Sequence, residues 1–153
     1  SIVYQRLTGE QPESFTSSYM ERGHELEPFA LEEYENQTFS TVEIDTFIEL
    51  NEWVGCSPDG LVDDDGMIEI KSPAYNTMIK YLLKGELPSE YFYQVHGQMY
   101  VSGRQWVDFV AYHPKLPFFI CRVVRDEAVC DSIKTELDIA INKAKEIINR
   151  IKL

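Results

Sequence analysis

Apolar positions recur along this chain at two spacings. Over residues 17–35 they fall at Met20, Leu26, Phe29, Ala30 and Tyr34, the stripe of an amphipathic helix. Ser17 or Ser18 stands at its start, and Glu21 follows Ser18 at the capping-box distance. Ahead of it, Ile2, Val3 and Leu7 read as the end of another helix, stopped by Thr8 and Gly9. Residues 38–43 and 46–50 alternate as strands do. Residues 74–83 predict a short helix with Met78, Ile79 and Leu82 facing inward, and 91–101 a second with Val95, Met99 and Phe92 buried. Two apolar, β-rich runs at 106–112 and 118–124, separated by His-Pro-Lys-Leu-Pro, predict an antiparallel pair. From residue 127 onward Val129, Ile133, Leu137, Ile141, Ala144, Ile148 and Ile151 mark a long amphipathic helix. The order predicts an α/β fold in one domain over 1–153: a mixed central β-sheet flanked by α-helices, with a site at one edge.

The stretch 54–73, V-G-C-S-P-D-G-L-V-D-D-D-G-M-I-E-I-K-S-P, carries the candidate chemistry. Side chains alternate along a strand, so Glu69 and Lys71 share one face while Ile70 points into the core. The D-D-D-G run at 63–66 predicts a hairpin turn that brings Asp59 beside Glu69. Asp63, Asp64 and Asp65 themselves read as a solvated turn. Two carboxylates and an ammonium at the lip of a sheet suit metal-dependent phosphodiester hydrolysis: the acids hold a hard divalent cation, and the lysine orients water or steadies phosphoryl charge. An isolated E-x-K is as readily a solvated strand face. The hairpin that joins it to Asp59 tips the reading toward a site.

Net charge changes the picture. The chain carries −12, unexpected for a protein that meets phosphates. Residues 1–65 hold 16 acids and 2 bases, whereas residues 66–126 hold 5 acids and 7 bases. Lys80, Lys84, Arg122 and Arg125 in the second segment are candidate phosphate contacts. The patch is thin, so several copies or a bound cation would have to strengthen it. Three cysteines (Cys56, Cys121, Cys130) without C-x-x-C spacing predict buried thiols and a reducing cytoplasm. No apolar run approaches the ~20 residues of a membrane span. His24, His96 and His113 lack ligand spacing and read as ordinary polar residues.

Cys56-Ser57-Pro58-Asp59-Gly60-Leu61 followed by Glu69-Ile70-Lys71-Ser72-Pro73 resembles the PD-(D/E)xK nucleases, and within them the lambda exonuclease (YqaJ-like viral recombinase) family. Upstream, Arg22-Gly23-His24-Glu25-Leu26-Glu27-Pro28 is similar to that family's acidic helix, which implies Glu27 as a further site acid. Downstream, Tyr93-Gln94-Val95-His96-Gly97-Gln98-Met99 is similar to its glutamine helix, which implies Gln94 and leaves His96 and Gln98 projecting elsewhere.

The resemblance implies a restriction-endonuclease-like core and a Mg²⁺-dependent 5′→3′ exonuclease on linear double-stranded DNA, with Mn²⁺ able to substitute. It implies that Asp59, Glu69, the Ile70 carbonyl and Glu27 surround the metal. Lys71, its pKa lowered in the cluster, would then position or deprotonate water, with Gln94 and Ser57 as secondary polar contacts. It further implies a phage or prophage recombination system in a bacterial cytoplasm, a single-strand annealing protein as partner, a homotrimeric ring, and an additional N-terminal segment that this chain lacks. Two alternatives stand beside it: an endonuclease of the same superfamily, and a DNA-binding module without catalysis.

Overall fold

The computed structural model describes residues 18–152, so the expected helix end at residues 1–7 and the Ser17 cap lie outside the described residues. Helix α1 spans Ser18–Thr38 with Pro28 inside it. Proline has no N–H, so the carbonyl of His24, four residues back, lacks its usual helical partner. Ala30 and Tyr34 are fully buried, whereas Phe29, one residue round the helix from Ala30, is 55% exposed and does not join the predicted stripe.

After α1 come β1 (Val42–Glu43), β2 (Ile48–Glu49), β3 (Gly55–Cys56), β4 (Gly60–Val62) and β5 (Gly66–Lys71). Helix α2 (Tyr75–Lys84), a 3₁₀ turn at Ser89–Tyr91 and α3 (Phe92–Ser102) follow. The chain closes with β6 (Trp106–Ala111), β7 (Phe119–Val124) and α4 (Glu127–Ile151). The strands expected over 38–43 and 46–50 shrink to two residues each, because Phe39 and Asp45 adopt left-handed backbone angles (φ 57° and 58°) that interrupt an extended run. Ile151, expected in the stripe of α4, is exposed at the helix end.

Five strands form one sheet in the order β1-β4-β5-β6-β7, and β2 pairs with β3 in a separate ribbon. Only β5 and β6 run parallel, which makes the main sheet mixed. A parallel neighbour needs a crossover, and α2 and α3 supply it. Alternation then sorts the core onto two faces. Val62, Ile68 and Val110 meet Tyr34 of α1 on one face. Met67 and Val107 meet Val95 and Met99 of α3 on the other, beside Phe109, Ala111 and Phe119 under Met78 and Tyr81 of α2. Helix α4 lies against α3, where the buried Cys130 thiol approaches the His96 carbonyl at 3.9 Å.

Two polar devices hold this arrangement. Arg104 Nη1 donates to the carbonyls of Asp63 (3.0 Å) and Gly66 (2.8 Å), closing the β4–β5 hairpin from outside. Asp108, 1% exposed on the α1 face of β6, accepts from Tyr34 Oη, from Arg122 Nε (2.8 Å) and from Arg122 Nη2 (3.0 Å). The Arg122 guanidinium also lies 3.7 Å over the Trp106 ring. That ring occupies the space a side chain at Gly66 would need, with ring carbons about 2.1 Å from where a Cβ would sit. Tyr34 is thereby tied to the middle of the sheet, and α1 with it.

Arg122 and Arg125, read from sequence as phosphate contacts, are therefore internal partners. Arg125 bonds the carbonyls of Met99 and Arg104 and the Glu127 carboxylate. Replacing Arg122 with Met should lower stability by about 2 kcal/mol, because Oδ1 of the buried Asp108 loses its one donor while Tyr34 still serves Oδ2. A urea midpoint measures that loss, and the salt dependence of DNA binding should not change.

Candidate active site

The site begins with a mismatch of strand lengths. β4 pairs with β5 only through Gly60↔Ile68, Leu61↔Met67 and Val62↔Gly66, while β6 accompanies β5 as far as Lys71↔Ala111. From Glu69 to Lys71, β5 therefore has a neighbour on one side and a notch on the other. Gly60 permits the closeness just before the notch: a Cβ there would fall 2.2 Å from Val42 Cγ1.

Asp59 fills the place where the ladder stops. Its Oδ2 accepts the Ile70 N–H at 2.7 Å, satisfying an amide that β4 does not reach. N–H and C=O of one strand residue point to the same side, so the Ile70 carbonyl also faces the notch. Its side chain packs toward Tyr34, as alternation predicts.

Glu69 lies on the opposite face, 5% exposed, beneath α3. Gln94 Nε2 donates to its Oε1 at 3.0 Å and Gln98 Nε2 to its Oε2 at 3.1 Å. Lys71 Nζ stands 3.3 Å from Oε1 and 4.9 Å from the Tyr91 ring centroid. Tyr91, which closes the 3₁₀ turn, and Gln94 and Gln98 of α3 follow at spacings of three and four, so this stretch presents an aromatic ring and two amides to the pair. Gln98 was read as projecting elsewhere; it instead bonds Glu69 directly. Its position four residues after Gln94 was the available signal. Gln94 meets the carboxylate rather than the lysine.

Glu27 enters from α1. It lines a cavity of about 180 Å³ with Gly23, His24, Asp59, Ile70, Lys71 and Ser72. His24, Glu27 and Asp59 also border a neighbouring cavity of about 410 Å³, whose wall includes Leu31, Ile44 and Ser57. The two form one groove along the notch. Ser57 thus stands at its outer part, away from Lys71. The Ser72 hydroxyl, 4% exposed, has no hydrogen-bond partner.

Electrostatics follow from crowding. Burial, then the nearby charge of Glu69, raises the Asp59 pKa from 3.8 to about 7; the Ile70 amide opposes the rise and Glu27 adds to it. For Lys71, burial alone would lower the pKa, but Glu69, Tyr91 and Asp59 outweigh it and the net direction is up. The lowered lysine pKa expected from sequence is thus corrected: beside Glu69, the ammonium is the favoured form.

These donors fit a hard divalent cation. Asp59 is crowded by like charge that such an ion would neutralise, and the nearby donors are carboxylate and carbonyl oxygens. Among the described residues no three His, Cys, Asp or Glu side chains gather closely enough to hold an ion unaided. Backbone oxygen or water would have to complete the shell, and the notch-facing Ile70 carbonyl is one such oxygen.

Comparison with known proteins bears on the family and the fold. Residues 2–105 match the YqaJ-like viral recombinase domain. The crystal structure of LHK-Exo in complex with dAMP has a TM-score of 0.90 and 38% identity, covering 98% of this chain and 79% of its own. The alkaline exonuclease LHK-Exo from Laribacter hongkongensis gives 0.89 at the same identity and coverage. A phage related exonuclease from Haemophilus somnus 129PT, 17% identical, shares the fold with a TM-score of 0.71 over 98% of this chain and 80% of its own. No curated protein matches.

The Asp59 shift has a measurable consequence. Its pKa is higher folded than unfolded, so between pH 4 and about 7 the folded state binds more protons and stability falls as pH rises. In metal-free protein, melting temperature should decline across that window, and Asp59→Asn should flatten the decline. Thermal melts of both proteins in chelator at stepped pH would check it; equal slopes would show that Asp59 is not the group responsible.

Proposed function

Since the chain belongs to the YqaJ-like viral recombinase family and is an exonuclease-type nuclease, we propose that it digests linear double-stranded DNA from 5′ ends with Mg²⁺, leaving 3′ single strands for recombination. The observation that carries this reading is the meeting of Asp59, Glu69 and Lys71 at the β5 notch, with the Ile70 amide bonded to Asp59. Asp59, Glu69 and the Ile70 carbonyl would hold the cation, and Glu27 would join directly or through water. When bound, Mg²⁺ or Mn²⁺ supplies a lowered pKa for attached water and neutralises charge on the phosphoryl oxygens.

The remaining work belongs to the chain. Lys71, held as an ammonium by Glu69, orients the attacking water and donates to a phosphoryl oxygen rather than removing a proton. Gln94 holds Glu69 in place, and Ser57 in the groove offers a hydroxyl to DNA phosphate. LHK-Exo has been crystallised with dAMP, and a deoxynucleotide is the product expected of stepwise digestion.

The charge balance supports a multisubunit arrangement. Arg104, Arg122 and Arg125 are engaged in internal bonds, Arg122 with about half of its side chain exposed, and Lys80, Lys84 and Lys115 are the exposed lysines of the segment 66–126. Three copies around one channel would concentrate that thin field on a threaded duplex. A homotrimer, an annealing protein that receives the 3′ strand, and a site of action in the cytoplasm of a phage- or prophage-carrying bacterium complete the proposal. No described helix is long and apolar enough to cross a membrane.

The test is digestion of 5′-phosphorylated linear duplex beside covalently closed circles, with Mg²⁺ or chelator. Linear DNA alone should be lost, in Mg²⁺ only. Lys71→Ala should slow the loss by roughly 10²–10⁴-fold. Cutting of the circle would replace the exonuclease with an endonuclease, and no cutting of either would leave a binding module.

A further inference from the structure

We propose that Gln98 is a positioning residue that sets the direction in which Glu69 offers its last free acceptor position to the divalent cation. The inference rests on the metal-dependent reading above and adds a role for a residue of the glutamine helix that the sequence reading left projecting elsewhere.

A carboxylate has about four lone-pair positions on its two oxygens. On Glu69, Gln94 and Lys71 take the two on Oε1, and Gln98 takes one on Oε2. The position left over is on the oxygen that, among the described residues, only Gln98 hydrogen-bonds. With one amide on each oxygen, from consecutive turns of α3, the carboxylate cannot turn about its Cγ–Cδ bond without breaking a hydrogen bond.

The anchor is itself held. Val95 and Met99 on either side of Gln98 are buried, the Met99 carbonyl accepts from Arg125, and the Cys56 thiol lies 4.0 Å from the Gln98 carbonyl. Gln98 also leaves its own Oε1 buried without a partner. An amide present for packing alone would be poorly placed there, since an apolar side chain of the same length avoids that penalty. Turning the amide over would set its oxygen against the carboxylate. Its orientation is therefore dictated by Glu69.

Gln98→Met keeps the length and removes the donor. The full chain, wild type and variant, is titrated with Mn²⁺ by calorimetry, and Mg²⁺ dependence of linear-duplex digestion is measured in parallel. The variant should bind Mn²⁺ about 10–100-fold more weakly and need correspondingly more Mg²⁺ for half-maximal rate, while the melting temperature of the metal-free protein falls because Glu69 Oε2 loses its donor. Should the methionine variant fail to fold, Gln98→Leu takes its place in the same titration. A variant Kd within about twofold of wild type overturns the role of Gln98 while leaving the nuclease reading intact. A wild type that binds no Mn²⁺ and cleaves nothing overturns both.

Discussion

A carboxylate can be buried beside a strand only if donors accompany it, and the end of β5 is where this chain meets that constraint twice. On the notch side Asp59 takes the Ile70 amide that β4 is too short to reach. On the other side Glu69 sits under α3, held by two glutamines and a lysine. The two solutions differ in kind. Asp59 remains crowded, with its pKa pushed to about 7, because one amide does not offset burial and two neighbouring acids. Glu69 is surrounded by donors. One acid is matched by donors and the other is left crowded.

How much of this could be read in the residues depends on how local each contact is. The hairpin was legible because Asp59, the D-D-D-G turn and Glu69 lie within a dozen residues, and period-two alternation gives their faces. The long helices were legible from their stripes. The short strands β1 and β2 were not bounded correctly, since a left-handed φ at Phe39 and Asp45 ends them and no apolar pattern records that. Arg122 and Arg125 looked like surface cations because their partners, Asp108 and the Met99 carbonyl, come from other elements. Gln98 was missed for the same reason. The lysine pKa was misjudged because desolvation could be anticipated from sequence, whereas the 3.3 Å contact with Glu69 could not be measured there.

The two faces of the sheet divide the work of support. Tyr34, Asp108 and Arg122 fasten α1, and hence Glu27, to the middle of the sheet from one side. Val95 and Met99 seat α3, and hence its glutamines, from the other. β5 is the shared member, so the groove inherits its geometry from a strand paired along its full length with β6. The arginines of this scaffold are engaged in internal bonds, so under the proposed function few bases and a bound cation would have to supply the attraction to DNA.

The parallel pairing of β5 with β6 also dictates an order of events as the chain acquires its shape. The Asp59–Ile70 contact belongs to a local hairpin and can form early. The cover over Glu69 cannot, because α3 is seated only when the crossover closes and β6 docks, a step that waits on distant segments finding each other. A partly folded or nascent chain therefore carries its acids uncovered and its lysine unplaced. For an exonuclease-type nuclease, the assembled site thus arrives last, with the final long-range contact.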